Sequence, residues 1–499
     1  MCKGPRLGGG FSLARNRLSC CPMNEPKESL LPPGHKTKLV CTIGPASDNP
    51  HTLEQLLRAG MNVARLNFSH GDFDGHAQTI ARLRAAADAT GRRLAIMADL
   101  PGPKIRIGEL AAESVELVSG QEVTLTTNDV AGDASRFTVN FERLPLAVRA
   151  GDRLFLNDGL IALKVLRVEG DDVYCEVRAG GELSSRKGLN LPGIDLGISA
   201  FTARDHECLR FALQHGVDAV SQSFVSTAAD VVAVRQAAAD LGYQPFLIAK
   251  IERARALDNL DEILGAADGL MIARGDLGVE VPIAEIAVIQ KDVMRRANRQ
   301  GKPVITATQM LESMTGHRRP TRAEATDVAN AILDGTDAVM LSAESAMGLY
   351  PVEAVDMLAE IALATEPHRP RTPFDSRVSD SPGVADLIAR SIEQSVVCLH
   401  PVAVVVPTRS GSMARNVARF RLPTWITAFS KNPATCQALQ FSYGVHPVQV
   451  DTDRADWTPH LRQWLHDCGV TSGLAMLAQG PSEEYPCGNH RMEIVDLSL

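Results

Sequence analysis

No run of apolar residues in this chain is long enough to span a bilayer, which argues against a helical membrane protein. Nor is there an excess of positive charge. Lys and Arg number 51 against 59 Asp and Glu, a formal net charge of −8. That balance argues against a general nucleic-acid binder, so any anion must be held by local clusters of Lys and Arg. The ten cysteines include no Cys-x-x-Cys pair and no Cys/His cluster at zinc spacing. In a chain of this length they read as reduced, mostly buried thiols, which predicts a reducing, cytoplasmic setting. No secretory apolar segment opens the sequence. Residues 1–24 hold Lys3, Arg6, Arg15 and Arg17 without an acid, with Gly8-Gly9-Gly10 and Cys20-Cys21 beside them. An acid-poor start of this kind resembles an organellar transit peptide, but its apolar face is weak. The expectation is a disordered extension, 1–24, ahead of a start at Met23.

What the chain does have is rhythm. Its 499 residues, 45% hydrophobic, are enough for two to four domains. Eight short apolar runs lie at Lys38–Ile43, Asn62–Leu66, Leu94–Asp99, Asp218–Phe224, Phe246–Lys250, Gly269–Ala273, Pro303–Ala307 and Asp337–Leu341. Helical patterns separate them, many closed by glycine: Gly60, Gly91, Gly216, Gly242, Gly301 and Gly335. Eight strand-then-helix units predict an α/β protein built on a (β/α)8 TIM barrel, over 36–102 and 189–367. The rhythm breaks after Asp99. Val115–Val118, Glu122–Thr126, Arg153–Leu156, Ile161–Val168 and Val173–Val177 are β-branched and separated by Gly/Asp/Asn turns. They predict an all-β domain inserted after strand three, over 103–188, as a small β-barrel lid at the catalytic mouth. Beyond the Pro-rich linker His368–Pro373, strand and helix patterns alternate again, predicting a C-terminal α/β regulatory domain over 375–499.

Function in a TIM barrel sits where its strands end. Here the ends carry Arg65 to Asn67, Asp99, Ser223-Phe224, Lys250 to Glu252, Arg274 to Asp276, Thr308 and Ser342 to Glu344. Glu252 and Asp276 close adjacent strands beside Lys250, and one or two carboxylates with room for water and substrate oxygens suit Mg²⁺. Gly275 lets backbone N–H groups approach an anion, and Arg65 offers a planar fork for phosphate. Asn67, Ser69 and Asp99 supply only oxygens, the make-up of a hard-cation site. Each motif alone has a plainer reading. Lys250-Ile-Glu252 is an ordinary ion pair, Thr308 and Ser342 are helix caps, and His70 is a satisfied structural histidine.

Taken together and in order, the stretches are specific. Thr37–Ser47, Gly60–Gly71, Lys187-Gly-Leu-Asn-Leu-Pro-Gly193, Lys250-Ile-Glu252, Ala273-Arg-Gly-Asp-Leu-Gly278, Ala307–Met314 and Val339-Met-Leu-Ser342 resemble the pyruvate kinase family, across residues 36 to 499. The resemblance implies Mg²⁺- or Mn²⁺-dependent phosphoryl transfer from phosphoenolpyruvate to ADP, giving pyruvate and ATP, by a homotetramer in glycolysis. It implies that Glu252 and Asp276 bind the divalent metal and that Lys250 stabilises the phosphoryl group in flight. Arg65, Gly275 and Asp276 would hold the phosphate, with Ser223 and Phe224 at the substrate. Thr308 would lie near the enolate carbon, with Ser342 and Glu344 in a water relay. Asn67, Ser69, Asp99 and the Leu100 carbonyl would line a monovalent-cation pocket. Arg106 and Lys187 would reach nucleotide phosphates, and Asp158 the metal-nucleotide from the lid. Thr408, Arg409, Ser410, Gly411 and Ser412 would form an effector loop for a sugar phosphate.

Departures from the family pattern carry expectations of their own. Lys104 stands where potassium-requiring members carry glutamate, and Leu100 where they often carry threonine, so the resemblance implies potassium independence with Lys104 filling the pocket. Ala343 replaces a usual glycine, a small packing change. Met413 replaces a hydroxyl residue, which favours a sugar monophosphate over a bisphosphate. Two other readings remain open on the residues alone. A Mg²⁺ lyase or mutase would not need the β lid, Arg106 or Lys187. A silent scaffold would not need to keep Lys250, Glu252, Asp276 and Thr308.

Overall fold

The computed structural model describes residues 32–369, 382–481 and 489–499. The expected N-terminal extension, 1–24, lies outside them, as does most of the linker segment ending at Pro373.

Eight parallel strands close a barrel: β1 (Lys38–Thr42), β2 (Met61–Asn67), β3 (Ala95–Leu100), β4 (Ala219–Gln222), β5 (Phe246–Ile251), β6 (Gly269–Ala273), β7 (Val304–Ala307) and β8 (Ala338–Leu341). Neighbours in sequence are neighbours in space, and β8 pairs back onto β1 through Lys38 and Ala338. Strands covered on both faces read as continuous apolar runs, because neither face meets water. All five residues of β1 and all six of β3 are buried. The intervening helices carry strong local signals. Helix Pro50–Ala59 starts with the Asn49 side chain accepting from Thr52 N, has proline in its first turn and ends at Gly60, whose φ is +117°. That left-handed stop costs a glycine little and other residues much.

The barrel is plugged at its N-terminal end. Phe441, from the C-terminal part of the chain, packs among Val40, Val63, Met97, Ile248 and Met271 and stacks on Phe246 with ring centroids 5.3 Å apart. Close by, Arg421 forms a bidentate pair with Asp337, immediately before β8, and both side chains are 4% exposed. Removing one partner of such a pair typically costs about 3–5 kcal/mol. The C-terminal sheet has the order Val445–Gln449, Ile426–Ser430, Ala403–Pro407, Leu474–Gln479 and Arg491–Asp496. Only its last pairing is antiparallel.

Between β3 and β4 lie the inserted strands. Six of them form one sheet, ordered Leu189–Asn190, Arg153–Leu156, Ile161–Glu169, Asp172–Ala179, Glu122–Thr126 and Arg136–Thr138. Gly181–Ser184 and Ser114–Leu117 pair separately. The expected β-barrel is thus an open sheet whose two edges are joined at one seam. Segment 105–108 bridges them through isolated pairs, Arg106 with Gly188 and Ile107 with Val139. No continuous ladder forms there because the segment is only a few residues long and leaves the barrel through Pro103. A core of Val123, Leu125, Phe137, Leu154, Ile161 and Val177 fills the insert.

Candidate active site

Parallel strands all end at the same rim, so side chains distant in sequence meet there. Asp99, at the end of β3, is 2% exposed and sits at the centre. Arg65 from β2 grips its Oδ2 through Nε at 2.8 Å and Nη2 at 2.5 Å, and donates from Nη1 to Thr42 Oγ1 at 3.0 Å. Ser221 Oγ donates to Asp99 Oδ1 at 2.7 Å. Lys250 Nζ lies 3.3 Å from Asp99 Oδ1, 2.8 Å from Glu252 Oε1 and 2.7 Å from Ser223 Oγ. The Phe224 N–H donates to the other oxygen of Glu252 at 2.7 Å, and Phe224 takes a left-handed φ of +57° to do so.

Electrostatics follow from burial and proximity. Burial alone would raise the Asp99 carboxyl, but Lys250 and Arg65 outweigh it and hold it below its ordinary value. Burial would discharge Lys250, yet Asp99 and Glu252 overcome it and raise its pKa. Glu252 is raised, first by burial and then by Asp276, against the pull of Lys250. A buried carboxylate whose charge burial and a second carboxylate both disfavour is relieved by a divalent cation, and hard oxygens with few protein ligands fit Mg²⁺. Among the described residues no group of three or more His, Cys, Asp or Glu gathers at metal-binding range. His70 is lowered by burial, then by Arg106, Lys104 and Arg65. Two cations at the root of the insert and one in the barrel therefore face a common space.

The turn after β6 opens helix Arg274–Glu280 with Gly275 and Asp276 in its first turn. Gly275 N donates to Thr308 Oγ1 at 2.8 Å, and Thr308 Oγ1 donates to Ala307 O at 2.6 Å. Thr308 has a φ of +68° and does not cap the turn that follows it, where Leu311 holds the cap position; its hydroxyl accepts at the start of helix Arg274–Glu280 instead. Strain of this kind in a β-branched residue costs about 1–3 kcal/mol and persists where surroundings over-determine it. Arg274 supplies that surrounding: its guanidinium binds the carbonyls of Ala307 and Thr308 and pairs with Asp327 at 2.6 Å.

Not every sequence candidate converges. Glu344 is fully buried, and its oxygens accept from Leu311 N at 3.0 Å and Ser342 N at 2.7 Å. It braces the Thr308 loop from behind, and no hydrogen bond joins it to the Thr308 hydroxyl among the described residues. Ser342 occupies the cap position of the short helix Ala343–Ala346 without a side-chain cap bond. The four oxygen donors of the cation pocket are neighbours in part: Asn67 Oδ1 accepts from Ser69 N at 3.1 Å, and the Asp99 carbonyl accepts from Phe68 N. Leu100 is buried at the end of β3. Among the described residues no hydrogen bond joins Lys104 to Asn67, Ser69 or Asp99, and its charge, with those of Arg106 and Arg65, bears on His70 beside Ser69. Asp99 is taken up by Arg65, Ser221 and Lys250, while Lys104 lines a small cavity with Gly188, Phe224 and Asp276. Arg106 donates to Arg186 O at 3.0 Å, and Lys187 O accepts from Ile107 N, so both stand at the seam of the insert. Asp158 is exposed on the turn Asn157-Asp158-Gly159, with a φ of +54°. Residue-by-residue reading gave no role to Thr42, Ser221 or Arg274. Only Arg274 left a signal, as the arginine inside the Ala273-Arg-Gly-Asp stretch.

In the C-terminal part, Thr408 to Ser412 join strand Ala403–Pro407 to helix Ser412–Ala418. Thr408 Oγ1 accepts from Gly411 N at 3.0 Å. The loop opens on a cavity of about 380 Å³ with Lys431, Arg454 and Trp457 across it. Met413 packs against the domain core.

The model of the pyruvate kinase barrel domain matches residues 34–355, and that of the pyruvate kinase alpha/beta domain matches residues 386–477. The chain belongs to the pyruvate kinase family. A pyruvate kinase from Thermococcus litoralis is 48% identical over 426 residues, 84% of this chain and 90% of that one. A pyruvate kinase from Geobacillus stearothermophilus is 43% identical, over 88% of this chain and 75% of its own length. The solved structure of a pyruvate kinase from Cryptosporidium parvum superposes with a TM-score of 0.86 at 33% identity, covering 95% of this chain and all of that one. The reaction of the pyruvate kinase family is glycolytic phosphoryl transfer, so this chain is a phosphotransferase on a TIM barrel. No helix among the described residues is long and apolar enough to cross a membrane.

Proposed function

We propose that the rim around Asp99 and Lys250 performs Mg²⁺-dependent transfer from phosphoenolpyruvate to ADP, with the roles divided as follows. The observation that carries the reading is Lys250: a buried ammonium held by Asp99, Ser223 and Glu252, one strand from Asp276 and beside Arg65. Phosphoryl transfer is mostly positioning and neutralisation of the moving charge, which suits a buried cation whose charge Asp99 and Glu252 favour. Arg65 and the Gly275 and Asp276 backbone groups hold the phosphate. Glu252 and Asp276 hold Mg²⁺ or Mn²⁺, which when bound takes up charge on substrate oxygens and orients them. Thr308, oriented by Gly275 and Arg274, stands at the proton-transfer side. Arg106 and Lys187 hold nucleotide phosphates, and Asp158 faces the nucleotide from the lid. Lys104, at the root of the lid, replaces the charge of a potassium ion bound at Asn67, Ser69, Asp99 and Leu100.

Three further proposals go with this reading. A sugar monophosphate occupies the cavity at Thr408 to Ser412, supported by Lys431 and Arg454 across it. The enzyme is a homotetramer, supported by the exposed Ile283, Val288, Leu387 and Ile494 side chains. Its setting is cytoplasmic, supported by five buried free thiols among the described residues. The deciding experiment couples pyruvate formation to NADH oxidation with phosphoenolpyruvate, ADP and Mg²⁺. Turnover that needs all three is expected, and turnover without ADP would point to a lyase or phosphatase instead.

A further inference from the structure

Helix Arg274–Glu280 begins at the phosphate turn and ends at a buried carboxylate with no part in the reading above. Asp276 and Glu280 are four residues apart and share one face of it. Glu280 accepts from Ala254 N at 3.4 Å, lies 4.0 Å from Arg253 Nη2, and has the backbone N–H of Gly193 among the groups that favour its charge. Arg253 in turn donates from Nη2 to Ile194 O at 3.2 Å. Both side chains are nearly enclosed, 13% exposed for Arg253 and 6% for Glu280. Gly193 and Ile194 are where the chain returns from the insert to the barrel, and Gly193 turns there with a φ of +70°. The tip of the insert meets the same helix, since a methyl on Gly159 would stand 3.4 Å from Val279 Cγ2. One short helix therefore touches the lid at its root and at its tip, and carries Asp276 at its other end.

The joint is loose for something so buried. Its ion pair is at the distance limit and its hydrogen bond to Ala254 is long. Burial pushes the Glu280 carboxyl up, ahead of the opposing pull of Arg253. Two cavities flank it, one of about 510 Å³, and both are lined by Arg253 and Glu280. A joint with space on both sides and no short contacts is built to shift. By contrast, the start of the helix is held tightly, through Gly275 to Thr308 and Arg274 to Asp327.

We propose that Glu280, with Arg253, is a positioning residue: a clasp that ties the root of the lid to the helix bearing Asp276 and so sets how ADP is held. The inference rests on the functional reading above, in which phosphoenolpyruvate contacts lie on the barrel and nucleotide contacts on the lid. Loosening the clasp should therefore disturb ADP and spare phosphoenolpyruvate.

The test measures kcat, KM for ADP and KM for phosphoenolpyruvate in Glu280→Ala and Glu280→Gln, with hydrogen exchange over residues 153–160 and 188–197. Glu280→Ala should raise KM for ADP about tenfold, the worth of one charge-assisted hydrogen bond, with KM for phosphoenolpyruvate within about twofold. Glu280→Gln keeps an acceptor for Gly193 and Ala254 and should recover most of the loss, and exchange should quicken in both segments in Glu280→Ala. If Glu280→Ala fails to fold, Arg253→Lys, which removes the reach to Ile194, should show the same split more weakly. Equal rises in both KM values, no rescue by glutamine, or unchanged exchange would overturn the clasp. Exchange is read without substrate, so a wild-type protein that does not turn over phosphoenolpyruvate and ADP would sink the activity reading and leave the clasp to be judged on exchange alone.

Discussion

Lys250 Nζ stands 2.8 Å from Oε1 of Glu252, and both side chains point to the barrel mouth because they lie two residues apart at the end of one strand. The pair brings a cation and a carboxylate of the proposed metal site together without any long-range search. It also makes each residue's removal readable against the other's.

Lys250→Met should lower kcat by about 10²–10³, as removal of one preorganised charge does, with a smaller effect on KM. Asp99 keeps Arg65 and Ser221, so the barrel should stay folded. Steady-state kinetics and a thermal melt check both parts. A loss of only about tenfold would reduce Lys250 to a binding role.

Glu252→Gln and Asp276→Asn should each abolish most turnover while leaving the far-UV spectrum intact. Each takes one charge from a two-carboxylate site. Titrating Mn²⁺ by its paramagnetic effect on water relaxation reads the site directly. Ordinary Mn²⁺ affinity in both variants would end the metal assignment.

Thr308→Val keeps shape and deletes the hydroxyl that accepts from Gly275 N and donates to Ala307 O. Solvent-proton incorporation into pyruvate should slow by about 10²-fold, the scale of one positioned proton-transfer group. KM for phosphoenolpyruvate should change little, because Arg274 still holds the Ala307 and Thr308 carbonyls. Deuterium incorporation followed by NMR decides it, and an unchanged rate would remove Thr308 from proton transfer.

Activity with tetramethylammonium as the only monovalent cation should equal activity in K⁺. Lys104→Glu reverses two units of charge at the lid hinge and should create a potassium requirement. Negligible wild-type activity in tetramethylammonium, restored by K⁺, would contradict the assignment of Lys104.

Lys38 is buried where the barrel meets the C-terminal sheet, donating to Val445 O at 2.7 Å. Burial pushes its ammonium down to about 7, against the pull of Glu366 and Asp337. Below that pH the group is charged in folded and unfolded chains alike. Between about 7 and its ordinary value of 10.5 the unfolded chain holds a proton that the folded chain has released. Stability should therefore rise with pH across that window. Lys38→Met should flatten this part of a plot of Tm against pH, and an unaltered slope would show that another group titrates there.

Much of this molecule was legible because its signals are local. The eight apolar runs became eight barrel strands, shifted by a residue or two, since burial on both faces forces such runs in parallel sheets. Gly60, Gly91 and Gly335 ended helices in the left-handed region as their positions predicted. The strands at Glu122–Thr126 and Arg153–Leu156 appeared with the expected bounds. The short strands Arg136–Thr138 and Leu189–Asn190 had no readable pattern, because two or three residues carry no periodicity and were recruited by their neighbours.

The candidate site divides in the same way. Sequence alone determined which residues stand at strand ends, since strand period and barrel topology give that without knowing any contact. Arg65, Asp99, Lys250, Glu252 and Asp276 could therefore be placed at the rim. Tertiary structure decided which way each side chain turns once there. Glu344 faces inward because two backbone N–H groups, at Leu311 and Ser342, need an acceptor in a buried loop. Asp99 is held by Arg65, Ser221 and Lys250, three partners that strand-end spacing did not assign to it. Ser221, Thr42 and the Glu280 joint came to light only in three dimensions. Hydrogen bonds between residues tens to hundreds of positions apart are set by how the sheets close, and local spacing does not encode them.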